Sequence, residues 1–233
     1  MPSLDEIRRA LAAHAPEVVP DAPAHRAAVA MCLRERGSAA EVLFIERARR
    51  EGDPWSGHMA FPGGRVDRDD RSSRRAAERE TFEEVGMSLL GTERLGRLDD
   101  MRGHHAAEHP ALVISAFVYH VPEPPPLVLS DEVEQAFWFP LAELLDPGRH
   151  VEYRFGPASE WRYPGILVGV PQRHVVWGLT YRFLEAFFAA VGRPLPARPV
   201  RIPPEWREAS SGGASAEGAR SEAKPSGGGL PPG

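Results

Sequence analysis

The sequence predicts an α/β fold in which a mixed sheet lies between helices. Three observations carry that reading. Short runs rich in β-branched and aromatic residues stand before and after one isolated helix. A second, apolar helix closes the patterned part of the chain. The 233 residues suffice for one substantial core. Strands on both sides of a lone helix do not make a regular parallel βαβ array, so a mixed sheet is expected. The organisation expected is an N-terminal helix and connector over residues 1–24, a central domain over 25–192, and a Pro-rich segment with a disordered tail over 193–233.

Ser3 is placed to cap a helix, with Glu6 three residues later, and Leu4, Ile7 and Leu11 repeat at helical spacing, so a short amphipathic helix starts the chain. Pro16, Pro20 and Pro23 then force an extended connector. Residues 27–33 and 41–46 read as the strands of a hairpin that turns at Gly37-Ser38. Residues 47–57 are polar and punctuated by Gly and Pro, which predicts a surface loop leading to the short apolar piece Met59-Ala60-Phe61; Pro62-Gly63-Gly64 ends it.

The next helix begins near Ser73 or Arg74, is expected to turn Phe82, Val85 and Leu89 inward, and is capped by Gly86. Strands are predicted over residues 95–98, 112–121 and 137–139, with a short helix after Pro140. Residues 153–155 and 166–170 read as further strands. Residues 175–191 read as one helix with Leu179, Phe183, Phe187 and Ala190 along a stripe.

Composition excludes several classes of function. The net charge of −5 argues against wholesale binding of nucleic acid or an anionic membrane. The one cysteine, Cys32, lies in an apolar run; it has no partner for an internal disulfide and reads as a buried, inert thiol. That suits a reducing compartment. The N-terminal stretch has neither the continuous apolar segment of a signal peptide nor a membrane-spanning length, and the expected location is the cytoplasm.

The chemistry concentrates between Gly63 and Met87. On a helix, Glu80, Glu83 and Glu84 are spaced i, i+3 and i+4, so their carboxylates share one face. Like charges at that spacing repel, and a bound divalent cation relieves them. Hard carboxylate oxygens without matching His or Cys favour Mg²⁺ or Mn²⁺ over Zn²⁺. Acidic pairs alone would read as a solvated helical face; Arg79, Gly86 and the preceding Gly63-Gly64 turn the balance toward a metal site. His104, His105 and His109 with Glu108 lack a zinc-ligand spacing and read as a substrate-lining loop. Trp55 reads equally as a base-stacking platform or as a ring packed under its loop. Arg47, Arg49 and Arg50 read as a solvated charge run or as contacts to a phosphate.

The run Arg79-Glu80-Thr81-Phe82-Glu83-Glu84-Val85-Gly86-Met87, with the paired glycines before it, resembles the Nudix box of the Nudix hydrolase superfamily. Asp70 stands where that pattern usually has glutamate, with one extra residue before Arg79. The flanking runs Leu43-Phe44-Ile45-Glu46-Arg47 and Gly57-His58-Met59-Ala60-Phe61-Pro62-Gly63-Gly64 are similar to the lead-in of the coenzyme A pyrophosphatase branch, with Trp55 where that branch has histidine.

The resemblance implies a Nudix-type α/β/α sandwich and Mg²⁺-dependent (or Mn²⁺-dependent) hydrolysis of a pyrophosphate bond in a nucleoside diphosphate derivative. For the coenzyme A branch the substrate is coenzyme A or acyl-CoA, giving adenosine 3′,5′-bisphosphate and 4′-phosphopantetheine. Two alternatives stand beside it: hydrolysis of ADP-ribose, a dinucleotide or a nucleoside triphosphate, and a catalytically silent nucleotide-binding module. On this reading Glu80, Glu83 and Glu84 hold the metal, and Glu83, Glu84 and Arg79 serve catalysis. Arg47, Trp55, Gly63 and Gly64 meet substrate. The general base is a box glutamate or, in a later loop, Asp131 or Glu132. The expected partner is a small-molecule nucleotide, without nucleic acid or membrane, and the sequence leaves a homodimer open.

Overall fold

The computed structural model describes residues 2–20, 25–53, 55–103, 112–155 and 161–196. The hairpin expected around Gly37 forms from β1 (Arg26–Arg36) and β2 (Ala39–Arg47), and Gly37 takes φ +64°, a left-handed conformation that glycine enters without a Cβ penalty. Along one edge β1 pairs in parallel with β7 (Leu112–His120), from Arg26 opposite Val113 to Leu33 opposite His120. Its other edge is shared. Ala27, Ala28 and Val29 pair antiparallel with β4 (Gly63–Arg65), whereas Leu33 to Arg36 pair antiparallel with β2.

Around this centre, β3 (Met59–Ala60) and β8 (Val133–Pro140) pair with β2, while β5 (Glu93–Arg97) and β6 (Met101–Gly103) pair with β7. The sheet is therefore mixed, with one parallel pairing among antiparallel ones.

The alternation along β1 sets the layers. Ala27, Val29, Met31 and Leu33 face one side, where α1 (Leu4–Ala13) and α3 (Gly178–Ala190) bury Ile7, Leu11, Phe183, Phe187 and Phe188. Ala28, Ala30 and Cys32 face the other, where α2 (Ser73–Val85) packs with Ala76, Ala77 and Val85. Small residues on both surfaces let α2 lie close to the sheet. The result is an α/β/α sandwich, as expected. Ser3 caps α1 in a reciprocal capping box with Glu6. Burial pushes the Cys32 thiol up, in keeping with an inert side chain.

Three details differ from the sequence reading. Phe82 is 58% exposed, because the inward side of α2 is taken by Ala77, Glu78, Thr81 and Val85. Residues 175–177 are not helical: they form β11 (Val175–Trp177), and Gly178 at φ +66° starts the helix after them. β11 also belongs to a second sheet, of three strands, with β9 (His150–Tyr153) and β10 (Tyr163–Leu167). The short helix after Pro140 is a 3-10 helix, Leu141–Leu145. The loop with His104, His105, Glu108 and His109, and the Gly/Ser/Pro-rich tail, lie outside the described residues. Among the described residues no helix is long and apolar enough to cross a membrane.

Candidate active site

The site is built where β4 meets α2. Ser72 caps the helix by accepting from the Arg75 N–H, and Gly86 ends it in a left-handed conformation at φ +70°. The two glycines of β4 then lie against the glutamates. A Cβ on Gly64 would stand 2.5 Å from Glu80 Cδ and Oε1, so only glycine leaves room for that carboxylate as it lies. Gly63 donates its N–H to Glu84 Oε2 at 2.8 Å. Its φ is +151°, and a Cβ there would meet the Ala28 carbonyl oxygen at 2.3 Å.

Glu84 is 3% exposed. Burial pushes its carboxyl up to about 8; the Gly63 N–H opposes that shift, and the neighbouring Glu80 and Glu132 charges add to it. Burial also raises Glu80, against the pull of Arg79. Two carboxylates in one recess, one of them nearly fully buried, make a poor apo arrangement even with Arg79 and Arg47 beside them. The donor set is all hard oxygen, without thiolate or imidazole, and fits a hard divalent cation.

Glu83 turns outward. It is 55% exposed at its side chain and accepts from Arg79 Nη1 at 2.9 Å. Among the described residues no three His, Cys, Asp or Glu side chains already converge at metal-binding distance. Glu83 would have to leave Arg79 to join the other two.

Arg79 holds the assembly together. Its Nη1 also donates to Glu80 Oε1 at 3.0 Å, its Nη2 and Nε donate to the two Asp70 oxygens at 2.8 and 3.3 Å, and Nη2 reaches the Arg65 carbonyl at 3.1 Å. The hydrogen bonds from Arg79 hold Asp70 below the usual carboxylate range. Asp70 is thus an anchor for Arg79, a role not read from the sequence, although its place at the acid position of the box pattern, nine residues before the arginine, had marked the residue.

The wall opposite α2 comes from two loops. Ser130 donates to the Glu84 carbonyl at 3.0 Å and Ala48 to the Glu132 carbonyl at 2.8 Å, so residues 128–132 are stitched both to α2 and to the end of β2. Arg50 donates to Glu132 at 3.1 Å and to Asp131 at 3.3 Å. Of these two acids, Glu132 is the one whose charge acts on Glu80 and Glu84.

Arg47, at the end of β2, lines a cleft of about 180 Å³ with Ala60, Gly63, Gly64, Leu179 and Thr180. Its Nη2 donates to Asp53 at 3.2 Å, its charge lowers Glu84, and its buried Nε has no acceptor among the described residues. A larger cleft of about 510 Å³ lies behind Arg79, lined by Asp70, Arg75, Phe82 and Leu90, but it does not touch the glycines. Trp55 lines neither of these clefts; it is 38% exposed, with its ring beside His58 and Phe155. The structure therefore brings together Glu80, Glu84, Gly63, Gly64, Arg79 and Arg47, and leaves Glu83 and Trp55 at the margin.

Comparison with known proteins agrees with this geometry. The sequence profile of the NUDIX domain matches residues 23–158. An uncharacterized protein of Schizosaccharomyces pombe is 38% identical over 157 residues, covering 59% of this chain and 48% of that protein; the chain thus spans about half of that relative's length. An uncharacterized Nudix hydrolase, NudL, of Escherichia fergusonii is 30% identical over 143 residues, covering 59% of this chain and 68% of that one. Among solved structures, a MutT/nudix family protein from Enterococcus faecalis shares the fold, with a TM-score of 0.50 at 19% identity over 82% of this chain and 76% of that chain.

Proposed function

The chain belongs to the NUDIX domain family, and on that premise we propose that it is a pyrophosphohydrolase that uses a divalent cation, Mg²⁺ or Mn²⁺, to cleave a nucleoside diphosphate derivative. The observation that carries this reading is the burial of Glu84 beside Glu80 under the Gly63-Gly64 wall. Such a pair is costly as two anions and useful as a cation seat. Glu80, Glu83 and Glu84 would hold the cation, which when bound neutralises phosphate charge and makes a water more nucleophilic.

The remaining work falls to the chain's own groups. Arg79 fixes Glu80 and Glu83 and ties them to the Asp70 loop, a supporting role with direct effect on geometry. Gly63 and Gly64 let the diphosphate approach the backbone closely. Arg47, whose Nε has no acceptor among the described residues, supplies a guanidinium to an entering phosphate oxygen. A box glutamate or Glu132 takes the proton of the attacking water. Glu132 is favoured over Asp131 because its charge acts on Glu84.

Coenzyme A or an acyl-CoA is the first substrate to try, supported by the runs 43–47 and 57–64 that resemble the coenzyme A pyrophosphatase branch. The test incubates the protein with Mg²⁺ or Mn²⁺ and coenzyme A, ADP-ribose, a dinucleotide and a nucleoside triphosphate, and identifies the products by chromatography. Adenosine 3′,5′-bisphosphate and 4′-phosphopantetheine are expected from coenzyme A. Consumption of ADP-ribose alone moves the assignment to that substrate, and no turnover of any of them leaves a silent nucleotide-binding module.

A further inference from the structure

Arg47 reaches the cleft against the run of its strand. Along β2, Val42 and Phe44 face the layer of α1 and α3, whereas Leu43 and Ile45 face that of α2. By that alternation Glu46 belongs to the first face and Arg47 to the second. Arg47 nonetheless lines the cleft of Gly63 and Gly64 together with Val29, Phe61, Ile114 and Phe183, which all pack in the first layer. The strand must turn at its end.

The pairing of β2 with β8 locates the turn. Ile45 stands opposite Ala136 and Glu46 opposite Gln135, but Arg47 stands opposite Val133, so Glu134 is left over and the ladder breaks between Glu46 and Arg47. An extra residue of this kind bends the strands, increases their local twist and re-aims the side chains beside it.

One side chain touches both acids at the break. Arg173, in the turn between β10 and β11, donates from Nε to Glu46 Oε1 at 2.8 Å and from Nη2 to Oε2 at 2.7 Å, and its Nη2 lies 3.9 Å from Glu134. The Glu46 side chain is wholly buried. A forked ion pair on a buried carboxylate fixes direction as well as distance. Burial works to raise the Glu46 carboxyl; Arg173, with His174 after it, outweighs burial and holds the group below the usual carboxylate range.

The turn that carries Arg173 is itself held. Val168 donates to the His174 carbonyl at 2.9 Å and His174 to the Val170 carbonyl at 2.9 Å, while Gln172 takes φ +65°. The His174 Nδ1 accepts from the Val170 N–H at 3.1 Å, its Nε2 lies 3.3 Å from Glu46, and the ring of Phe137 in β8 is 5.4 Å away between centroids. A Cβ on Gly169 would stand 2.3 Å from that Nδ1, so the imidazole lies where only glycine leaves room. The turn thus meets β2 and β8 at the break.

We propose that Arg173, braced by His174, is a positioning residue: by clasping Glu46 and Glu134 across the break between β2 and β8 it aims Arg47 into the cleft, where Arg47 takes a phosphate of the substrate. The inference rests on the reading of Arg47 as a phosphate ligand. Its test is a double-mutant cycle on the full chain in Mg²⁺ buffer, with ADP as the probe and calorimetric titration as the readout.

Arg47→Met is expected to weaken ADP binding about tenfold. Arg173→Met should weaken it roughly fivefold when Arg47 is present and leave it unchanged when combined with Arg47→Met. Arg173→Lys, which keeps the charge without the fork, should fall between the wild type and Arg173→Met. A residue that only supports the fold would lower the thermal midpoint without that dependence on Arg47. A folded Arg173→Met chain that binds ADP as the wild type does, or that loses equally in both backgrounds, would overturn the inference and leave the phosphate role of Arg47 standing. Removing one partner of a buried pair leaves an uncompensated charge; should Arg173→Met fail to fold, Glu46→Gln with Arg173→Met, which removes both charges, takes its place with the same reading. ADP affinity unchanged by Arg47→Met, or no binding of ADP by the wild type, would overturn the phosphate role and the positioning together. A cycle that closes as expected in a chain that hydrolyses no diphosphate would keep the clasp and remove the hydrolase.

Discussion

Gly64 lies directly under the carboxylate of Glu80: a Cβ on the glycine would be 2.5 Å from Glu80 Oε1 and 2.8 Å from Oε2. The clash is with the far end of a flexible side chain, so Gly64→Ala should cost less than about 1 kcal/mol of stability while displacing the carboxylate. Gly63→Ala is the contrasting case. There the Cβ meets the Ala28 carbonyl oxygen at 2.3 Å and Val29 Cα at 2.6 Å, and φ is +151°. We expect it to lose at least about 3 kcal/mol. Urea unfolding of both variants, with Mn²⁺ titration of Gly64→Ala, checks the pair of outcomes; affinity should fall roughly tenfold in Gly64→Ala.

Glu84 gives a pH signature. Its carboxyl titrates near 8 in the folded chain, above the ordinary 4.5, so between those values the folded state holds a proton that the unfolded state has released. Cation-free stability therefore falls as pH rises through that window. Glu84→Gln should abolish this part of the slope when unfolding is compared at pH 6 and pH 8.5 in a chelator. With Mg²⁺ present the same substitution should lower turnover on the order of a hundredfold.

Replacing Arg79 by lysine keeps the charge and removes the fork that spans Asp70, Glu80 and Glu83. Turnover should fall roughly ten- to a hundredfold. Amide exchange over residues 66–71 should accelerate, since the Asp70 tether is lost. Normal activity with an unchanged exchange pattern would show that Arg79 neither sets the acids nor anchors the loop.

His58 titrates at about 4, held down first by burial and then by the Arg47 charge. Its ordinary value is 6.5, so the unfolded chain takes up a proton before the folded one does. The stability involved is present above pH 6.5 and lost as pH falls toward 4, at most about 1.4 kcal/mol per pH unit. His58→Phe should show a flatter acid limb than the wild type in thermal unfolding measured from pH 7 to pH 4.5.

Spacing alone made the acidic helix legible, because Glu80, Glu83 and Glu84 can share a face only if residues 73–85 are helical. The hairpin at Gly37 and the capping box of α1 were legible for the same local reason. Phe82 misled because hydrophobicity was read without the helix's distance from the sheet: Ala76, Ala77 and Thr81 are small enough to lie against Ala28 and Ala30, and a phenyl ring there would hold the helix off. The start of the last helix was misplaced because Val175, Val176 and Trp177 fit an apolar helical stripe as well as a strand; the backbone of Gly178 is what divides them. Asp70 was noted at the box's acid position, but its anchoring role was missed since that role depends on contact with the Arg79 side chain, nine positions away.

The carboxylates stand on α2 against β4, whereas β9, β10 and β11 make a separate three-stranded sheet whose β11 touches β3. Were the segment between the second 3-10 helix (Pro147–Arg149) and Trp177 exchanged for that of a homologue, Glu80 and Glu84 would keep the contacts that set them, because Gly63, Gly64 and Arg79 all lie outside it.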